Sequence, residues 1–175
     1  DFIVREKIGF TVVGNEAPLV HGVRDFIKAE IPGHFVFGPD KLGAQLEGSK
    51  AFSDAFMAEA GIAHGTSVVA TNLAEARQAL PSQALPIVLK ADGLAAGKGV
   101  SIHNDYPSAE EKLAEIFEGR IFGDSGNRVL LQKFLKGTEA SLFALCNGTD
   151  ALLLPVARDY KLALTGDKGE NTGGM

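Results

Sequence analysis

PIVLKADGLAAGKGV, residues 86–100, is the stretch from which the rest of the chain is read. Its first half is a short apolar run ending in Lys90, and its second half is glycine-rich and carries Lys98. Val100 and Ile102 then resume a strand pattern in GVSIH, because β-branched side chains suit a pleated surface better than a helix. Strand, loop, strand is the expectation. Gly93, Gly97 and Gly99 lift the Cβ restriction where a backbone turns sharply or approaches a ligand. Successive free N–H groups in such a turn make an anion-binding concavity, and Lys90 and Lys98 add positive charge. The combination suits a polyphosphate. A plain glycine-rich hairpin is the competing structural reading.

Two familiar phosphate loops are excluded by spacing. A P-loop sets four residues between its first glycine and the Gly-Lys pair and follows the lysine with Ser or Thr. Here only Leu94, Ala95 and Ala96 separate Gly93 from Gly97, and Gly99 follows Lys98. The dinucleotide fingerprint opens a helix, whereas Val100 opens a strand. The loop is therefore expected to cover phosphates from between two strands, as a lid would.

With 45% hydrophobic and 22% charged residues, the 175-residue chain has the apolar content to bury a core. That length permits one domain, or one domain and part of another. The net charge of −5 gives no support for non-specific nucleic-acid binding. No apolar run approaches the roughly 18 residues that a membrane span needs. Cys146 is the single cysteine, which leaves no internal disulfide and fits a reducing compartment. In its apolar surroundings it is expected to be a buried thiol. A soluble, cytoplasmic protein with no membrane or nucleic-acid partner is the expectation. The chain begins at Asp1 without a methionine and closes on a polar, glycine-rich stretch, so an internal fragment is expected.

Residues 10–13 (FTVV) read as a buried strand closed by Gly14, and Leu19, Val20, Val23, Phe26 and Ile27 recur at helical spacing. Residues 35–37 make a second strand, so the start has the size of a βαβ unit with parallel strands. Ligands sit at the carboxyl ends of such strands, where GNEAPL (residues 14–19) falls; an ordinary strand-to-helix turn with Glu16 at the helix start is the competing reading. A boundary is expected at residues 44–48. Ser49 is placed to cap a helix bearing Phe52, Ala55, Phe56 and Met57 and stopped by Gly61. Met57 and both phenylalanines are read as core. Lys50 in the first turn opposes the helix dipole, a hint of an anionic partner.

Asn72 with Glu75, and Ser108 with Glu111, read as capping boxes for two further helices, the first ended by Pro81 and the second by Gly119. Residues 129–135, 140–146 and 151–156 read as three strands, with Asn147-Gly148 as a hairpin turn. Short strands and tight turns imply an antiparallel sheet there. The last stretch, from Arg158, is expected to be loop. His21, His34, His64 and His103 are scattered without metal-ligand spacing, and no nucleophile elbow or Cys/His arrangement stands out. Asp159, Asp167 and Glu170 have the chemistry to help hold a metal, although acidic loops are ordinarily just solvated. Glu139, at the start of an apolar run, has the chemistry to bond ribose hydroxyls. The pattern alone reads as an α/β nucleotide-binding fragment.

QLEGSKAF (residues 45–52), IVLKADGLAAGKGV (87–100) and NTGGM (171–175), with GNEAPLV near the start, occur in this order. Together they resemble the phosphoribosylamine–glycine ligase family, also called glycinamide ribonucleotide synthetase, of the ATP-grasp superfamily. The resemblance runs along essentially the whole chain. It implies the end of a parallel αβ N-terminal substrate-binding domain (residues 1–48), followed by the ATP-grasp nucleotide-binding α+β region with antiparallel sheets (49–175), of which 67–136 would be a lid-like subdomain. It also implies ATP-dependent ligation of glycine to 5-phospho-D-ribosylamine, giving glycinamide ribonucleotide, ADP and phosphate through a glycyl phosphate, in purine biosynthesis.

By motif, Lys50 and Lys90 would neutralise ATP phosphates, and Gly93, Leu94, Ala95, Ala96, Gly97, Lys98 and Gly99 would close over them. Gln132, Lys133, Phe134 and Leu135 would be the hinge whose backbone meets adenine, and Glu139 would approach the nucleotide. Lys90, Asp159 and Lys161 would be catalytic. Glu16, Pro18, Asn171, Thr172 and Gly173 would line the glycine and phosphoribosylamine side. The cofactors implied are ATP and Mg2+ or Mn2+, with metal ligands expected beyond Met175 and none within this chain.

Some positions depart from the family pattern. Gln132-Lys133 stands where two glutamates are common, which puts a carboxylate contact there in question. Tyr160 and Leu162 replace a frequent His and Arg around Asp159, and Asn15 and Glu170 stand where prolines are frequent. A non-catalytic nucleotide-binding protein, or an ATP-grasp ligase for another carboxylate and amine, are the alternatives.

Overall fold

The computed structural model describes residues 2–95, 98–158, 162–165 and 168–171. The chain forms two compact units, residues 1–134 and 135–175.

The first unit starts with helix α1 (Phe2–Arg5), strand β1 (Phe10–Val12), helices α2 (Glu16–Val20) and α3 (Val23–Glu30), and strand β2 (Phe35–Phe37). β1 and β2 pair in parallel, Phe10 beside Phe35, with their rings 5.0 Å apart. The expected strand-helix-strand unit is there, but its helix is two helices. Gly22 sits between them at φ 87°, a left-handed backbone that ends one helix and lets the next start at a new angle. Helices α4 (Gln45–Gly48) and α5 (Lys50–Glu59) follow. Ser49 caps α5 as expected, its hydroxyl accepting from Phe52 N at 3.1 Å. Phe52 and Phe56 are exposed rather than core.

Strands β3 (Ser67–Ala70), β4 (Ile87–Ala91), β5 (Val100–His103) and β6 (Val129–Lys133) form one sheet in the order β3-β6-β4-β5, antiparallel throughout. Helices α6 (Leu73–Ala79) and α7 (Tyr106–Phe117) cover one face. The alternation of a strand divides β4 and β6 cleanly. Ile87, Leu89, Val129 and Leu131 point to the helices and pack with Leu73, Ala76, Leu113 and Ile116, all buried. Val88, Lys90, Leu130 and Gln132 face the other way. Asn72 caps α6, as expected. α7 begins three residues earlier than the Ser108–Glu111 pattern predicts, because Asp105 is the cap, accepting from Ser108 N at 2.8 Å. Pro107 fits that first turn, where no intrahelical N–H bond is lost.

In the second unit, β7 (Ala144–Cys146) and β8 (Ala151–Leu153) make the expected hairpin. Asn147 Oδ1 accepts from the N–H groups of Thr149 and Asp150, and Gly148 takes φ 103°. Both strands are shorter than predicted, since only these residues find ladder partners; Ser141 meets Ala157 in an isolated bridge. Glu139 therefore precedes the strand rather than starting it, and β6 likewise ends at Lys133 rather than at Leu135. Cys146 is exposed, contrary to the buried thiol expected. β9 (Leu162–Leu164) and β10 (Lys168–Asn171) pair antiparallel where a loop was expected. The short apolar run LAL was masked by the glycines and charges around it. No helix among the described residues is long and apolar enough to cross a membrane.

Candidate functional site

A cleft of about 240 Å³ lies between α5 and the uncovered face of the four-stranded sheet. The sheet supplies Lys90, Leu130, Gln132 and Val100. Their grouping follows from register, since Lys90 sits opposite Leu130 on one side and Val100 on the other. From α5 come Lys50, Ser53, Asp54 and Met57, spaced i, i+3, i+4, i+7 on one helical face. Met57, expected in the core, lines this cleft instead. Leu46 and Glu47 of α4 complete it. A larger hollow of about 420 Å³ lies where the start of α6 meets the end of α7, lined by Asn72, Phe117 and Arg120 among others. It contains none of the expected site residues, three of which, Lys50, Lys90 and Gln132, line the smaller cleft.

The lysine end of the cleft is built around Asp92, a residue with no expected role. Its carboxylate is almost fully buried, with 8% of the side chain exposed. It accepts from Ser49 Oγ at 2.9 Å and from Ala51 N at 2.7 Å, and pairs with Arg128 Nη2 at 2.5 Å. A carboxylate over the first turn of α5 satisfies an N–H that a helix leaves orphaned and complements the dipole. The Asp92 carbonyl accepts from Lys50 N at 3.0 Å. Lys50 Nζ then reaches back to the carbonyl oxygens of Gly93 at 3.0 Å and Asp92 at 3.4 Å. Burial draws the Lys50 ammonium below its ordinary range, while Asp92 and Glu47 oppose that shift. The first-turn lysine is thus held by loop carbonyls, in a half-buried position open to an added anion.

The loop between β4 and β5 is pinned at both feet. Gly93 N donates to Ser125 O at 3.2 Å and Ala91 N to Gly99 O at 2.8 Å, while Ser125 Oγ donates to Leu94 O at 2.7 Å. Two of its glycines are required by the chain's own packing. A Cβ at Gly93 would fall 2.7 Å from Ser125 Oγ and 3.0 Å from Ser125 Cα, and one at Gly99 would fall 2.7 Å from the Ala95 methyl. Lys98 is exposed.

The far end of the cleft is held by Asp54. Its carboxylate accepts from Ser67 Oγ at 2.7 Å and lies 3.5 Å from Gln132 Nε2. Gln132 Nε2 also donates to Gly65 O at 3.1 Å.

Residues 1–47 match the family model described as phosphoribosylglycinamide synthetase, N domain, and residues 48–175 match its ATP-grasp (A) domain. The chain belongs to the phosphoribosylglycinamide synthetase family. It is 45% identical over 175 residues to the phosphoribosylamine–glycine ligase of Leptospira interrogans, covering 99% of this chain and 40% of that protein. It is 46% identical over 176 residues to the ligase of the same name from Allochromatium vinosum, again covering 40% of the relative. The chain thus spans well under half the length of the curated relatives it matches. Among solved structures, phosphoribosylamine–glycine ligase from Thermotoga maritima superposes with a TM-score of 0.76 at 40% identity, over 83% of this chain and 37% of that one. The biotin carboxylase domain of Hydrogenobacter thermophilus 2-oxoglutarate carboxylase, solved with MgADP, ADP and bicarbonate, shares the fold, with a TM-score of 0.74 at 19% identity over 96% of this chain and 38% of that one.

Within this synthetase-family fold the expected residues divide into groups. Lys50, Lys90 and Gln132 share the cleft. Gly93, Leu94, Ala95, Lys98 and Gly99 form the adjoining loop and do not line it. Lys133 ends β6, its N–H donating to Thr66 O at 2.9 Å. Phe134 closes the first unit, while Leu135 and the exposed Glu139 belong to the second. Glu16 and Pro18 are exposed on α2, away from the cleft lining, and Asn171 ends β10. Ala96, Gly97, Asp159, Lys161, Thr172 and Gly173 lie outside the described residues. Sequence reading missed Asp92, Arg128, Asp54 and Gly65. A lone acidic residue after an apolar strand, as in LKAD, was the available signal for the first. Among the described residues no group of three or more His, Cys, Asp or Glu side chains is placed to hold a metal ion.

Proposed function

We propose that the cleft between α5 and the sheet binds ATP, and that the whole protein joins glycine to 5-phosphoribosylamine with release of ADP and phosphate. The observation that carries the reading is that Lys50 and Lys90, from separate elements, line one cleft beside the glycine loop. Lys50 and Met57 are separated by roughly 10 Å along the helix, so one end of the cleft is cationic and the other suits a flat base. A carboxylate is a poor electrophile, so transfer of the γ-phosphate to glycine makes an acyl phosphate with a good leaving group, which the amine of phosphoribosylamine then attacks. The lysines neutralise charge on the phosphates, and the loop excludes water. Among the described residues no group of three or more His, Cys, Asp or Glu side chains is placed to hold a metal ion; in this reading Mg2+ or Mn2+ is held elsewhere in the whole protein.

In the same reading residues 1–48 belong to the substrate domain and 49–175 to the ATP-grasp region, with 67–136 as its lid. Glu139 and residues 132–135 serve the nucleotide. Glu16, Pro18, Asp159, Lys161, Asn171, Thr172 and Gly173 serve glycine and phosphoribosylamine. The test is phosphate release by the full-length protein with glycine and phosphoribosylamine, set against other carboxylate and amine pairs. Release that requires both is expected. Faster release with another pair reassigns the substrates, and ATP binding without turnover of any pair leaves a nucleotide-binding protein.

A further inference from the structure

Lys50 lies beside the buried Asp92 carboxylate and does not pair with it. Its Nζ donates to the carbonyl oxygens of Gly93 and Asp92, and among the described residues it forms no ion pair. Yet the two residues are in backbone contact, Lys50 N donating to Asp92 O at 3.0 Å. The carboxylate is taken up on its other side. Ser49 Oγ donates to Oδ1 at 2.9 Å and to Oδ2 at 3.2 Å, Ala51 N to Oδ1 at 2.7 Å, and Arg128 Nη2 reaches Oδ2 at 2.5 Å. The first two donors are neutral, so Arg128 is the countercharge that a buried carboxylate requires. Register puts it there. Ala91 pairs with Val129 in the β4–β6 ladder, and Asp92 N donates to Arg128 O at 3.0 Å. Alternation then sends both side chains to the face of Lys90 and Leu130. The guanidinium is half exposed and keeps its charge at every working pH.

We propose that Arg128 is a positioning residue for ATP binding, which holds the Asp92 carboxylate away from Lys50 and so leaves that ammonium to the phosphates. The proposal rests on the nucleotide reading above and deepens it. Without Arg128 the carboxylate is still buried and still needs a cation. Lys50, already in contact with the Asp92 backbone, is the cation at hand, and a carboxylate is a stronger partner for it than two neutral carbonyls. An entering polyphosphate then has to break an ion pair instead of displacing carbonyl bonds. With Arg128 in place, the same carboxylate favours the charged form of Lys50 through space without occupying it. The charged groups around the ammonium are Asp92 at the loop foot, Glu47 of α4, Asp54 one turn along α5, Lys90 of β4 and Arg128 before β6. Of these, Arg128 is the one that acts on Lys50 by engaging another side chain.

The experiment measures ATP binding to the full-length protein by calorimetry, near neutral pH and through the alkaline range. Arg128→Met is expected to weaken ATP by roughly 3- to 10-fold near neutral pH. It is also expected to move the alkaline decline in affinity to higher pH, because a paired Lys50 holds its proton more tightly. Arg128→Lys is expected to fall between that variant and the wild type. Adding Asp92→Asn to Arg128→Met removes the competing charge, so most of the affinity is expected to return and the decline to fall back to its wild-type pH or below. If Arg128 served only the fold, or met the phosphates itself, Asp92→Asn would recover nothing and the decline would stay where it is. Either result overturns the positioning role, as does wild-type affinity in Arg128→Met; ATP binding that still depends on Lys90 then leaves the nucleotide cleft standing. ATP binding that is absent, or indifferent to Lys90→Ala, overturns both. If Arg128→Met does not fold, Arg128→Lys, alone and with Asp92→Asn, carries the same test with smaller changes of the same sign.

Discussion

Lys50 Nζ donates to the carbonyl oxygen of Gly93 at 3.0 Å, so a side chain at the start of α5 grips the foot of the glycine loop. Carbonyls are weaker partners for an ammonium than a phosphate is. A polyphosphate entering the cleft therefore competes for the group that tethers the loop, and loop position and ligand binding become linked through one side chain. Lys90 reaches the same cleft from β4, two residues before Asp92 on the chain. The Asp92 junction thus joins the start of α5 to the foot of the loop through Ser49, Ala51 and Arg128.

Lys90→Ala in the full-length protein is expected to weaken ATP by roughly 10- to 100-fold, the range for losing a charge-assisted bond. Lys112→Ala serves as the control. Lys112 pairs with Glu115 at 2.6 Å on the outside of α7, a surface contact worth less than about 1 kcal/mol. Titration calorimetry compares the two, and equal affinities would remove Lys90 from the phosphate site.

Asp92→Ala is expected to destabilise the fold by about 2 kcal/mol. Removing the carboxylate strips Ala51 N of its acceptor and Arg128 of its partner. A buried pair broken on one side costs more than that, but Arg128 is half exposed and water takes over part of its charge. Asp92→Asn keeps an acceptor for Ala51 N and should cost less. Thermal or denaturant unfolding checks the order, which would fail if both variants matched the wild type.

Local signals were legible in the sequence because they act over a few residues. Ser49 capping Phe52, Asn72 capping Glu75, and the Asn147 turn are each written in adjacent side chains. Lys50 and Lys90 were expected by motif to meet the ATP phosphates, and the structure brings them to one cleft. Asp92 with Arg128, and Asp54 with Gln132, were not. Each pair joins elements far apart in the chain, and only the β4–β6 register and the seating of α5 bring them together. Periodicity also misjudged exposure. Phe52, Phe56 and Cys146 are apolar residues in apolar runs, yet all are exposed, because alternation reports which side a residue faces and not whether another element covers that side.

Gly93→Ala is expected to damage the loop rather than a ligand contact. The added methyl meets Ser125 at both Oγ and Cα, and overpacking of this kind costs about 1–3 kcal/mol. Gly93 N and the Ser125 carbonyl must separate, and so must the Ser125 hydroxyl and Leu94 O. Ser125→Gly in the same background removes the Oγ conflict but not the Cα one, so partial rescue of the unfolding midpoint is expected. Full rescue, or no effect of the first change, would contradict the packing account.

Lys50 gives ATP binding a definite dependence on pH. Burial lowers the ammonium's affinity for its proton from the ordinary value of 10.5, with Asp92 and Glu47 acting against that change. The sign for the free protein follows. The unfolded chain holds the proton more tightly, so the stability contributed by this group is present above 10.5 and is lost as pH falls through the lowered folded value. A bound polyphosphate adds negative charge and raises the value again. Between the two values binding takes up a proton, so ATP affinity falls as pH rises through that window, which starts below 10.5. Lys50→Arg keeps its charge throughout and should flatten the decline while leaving other titrating groups in place. Calorimetric affinities from about pH 7 to about pH 10, with proton uptake read from buffers of different ionisation enthalpy, decide the matter. Identical alkaline limbs in the wild type and Lys50→Arg would show that Lys50 does not meet the phosphates.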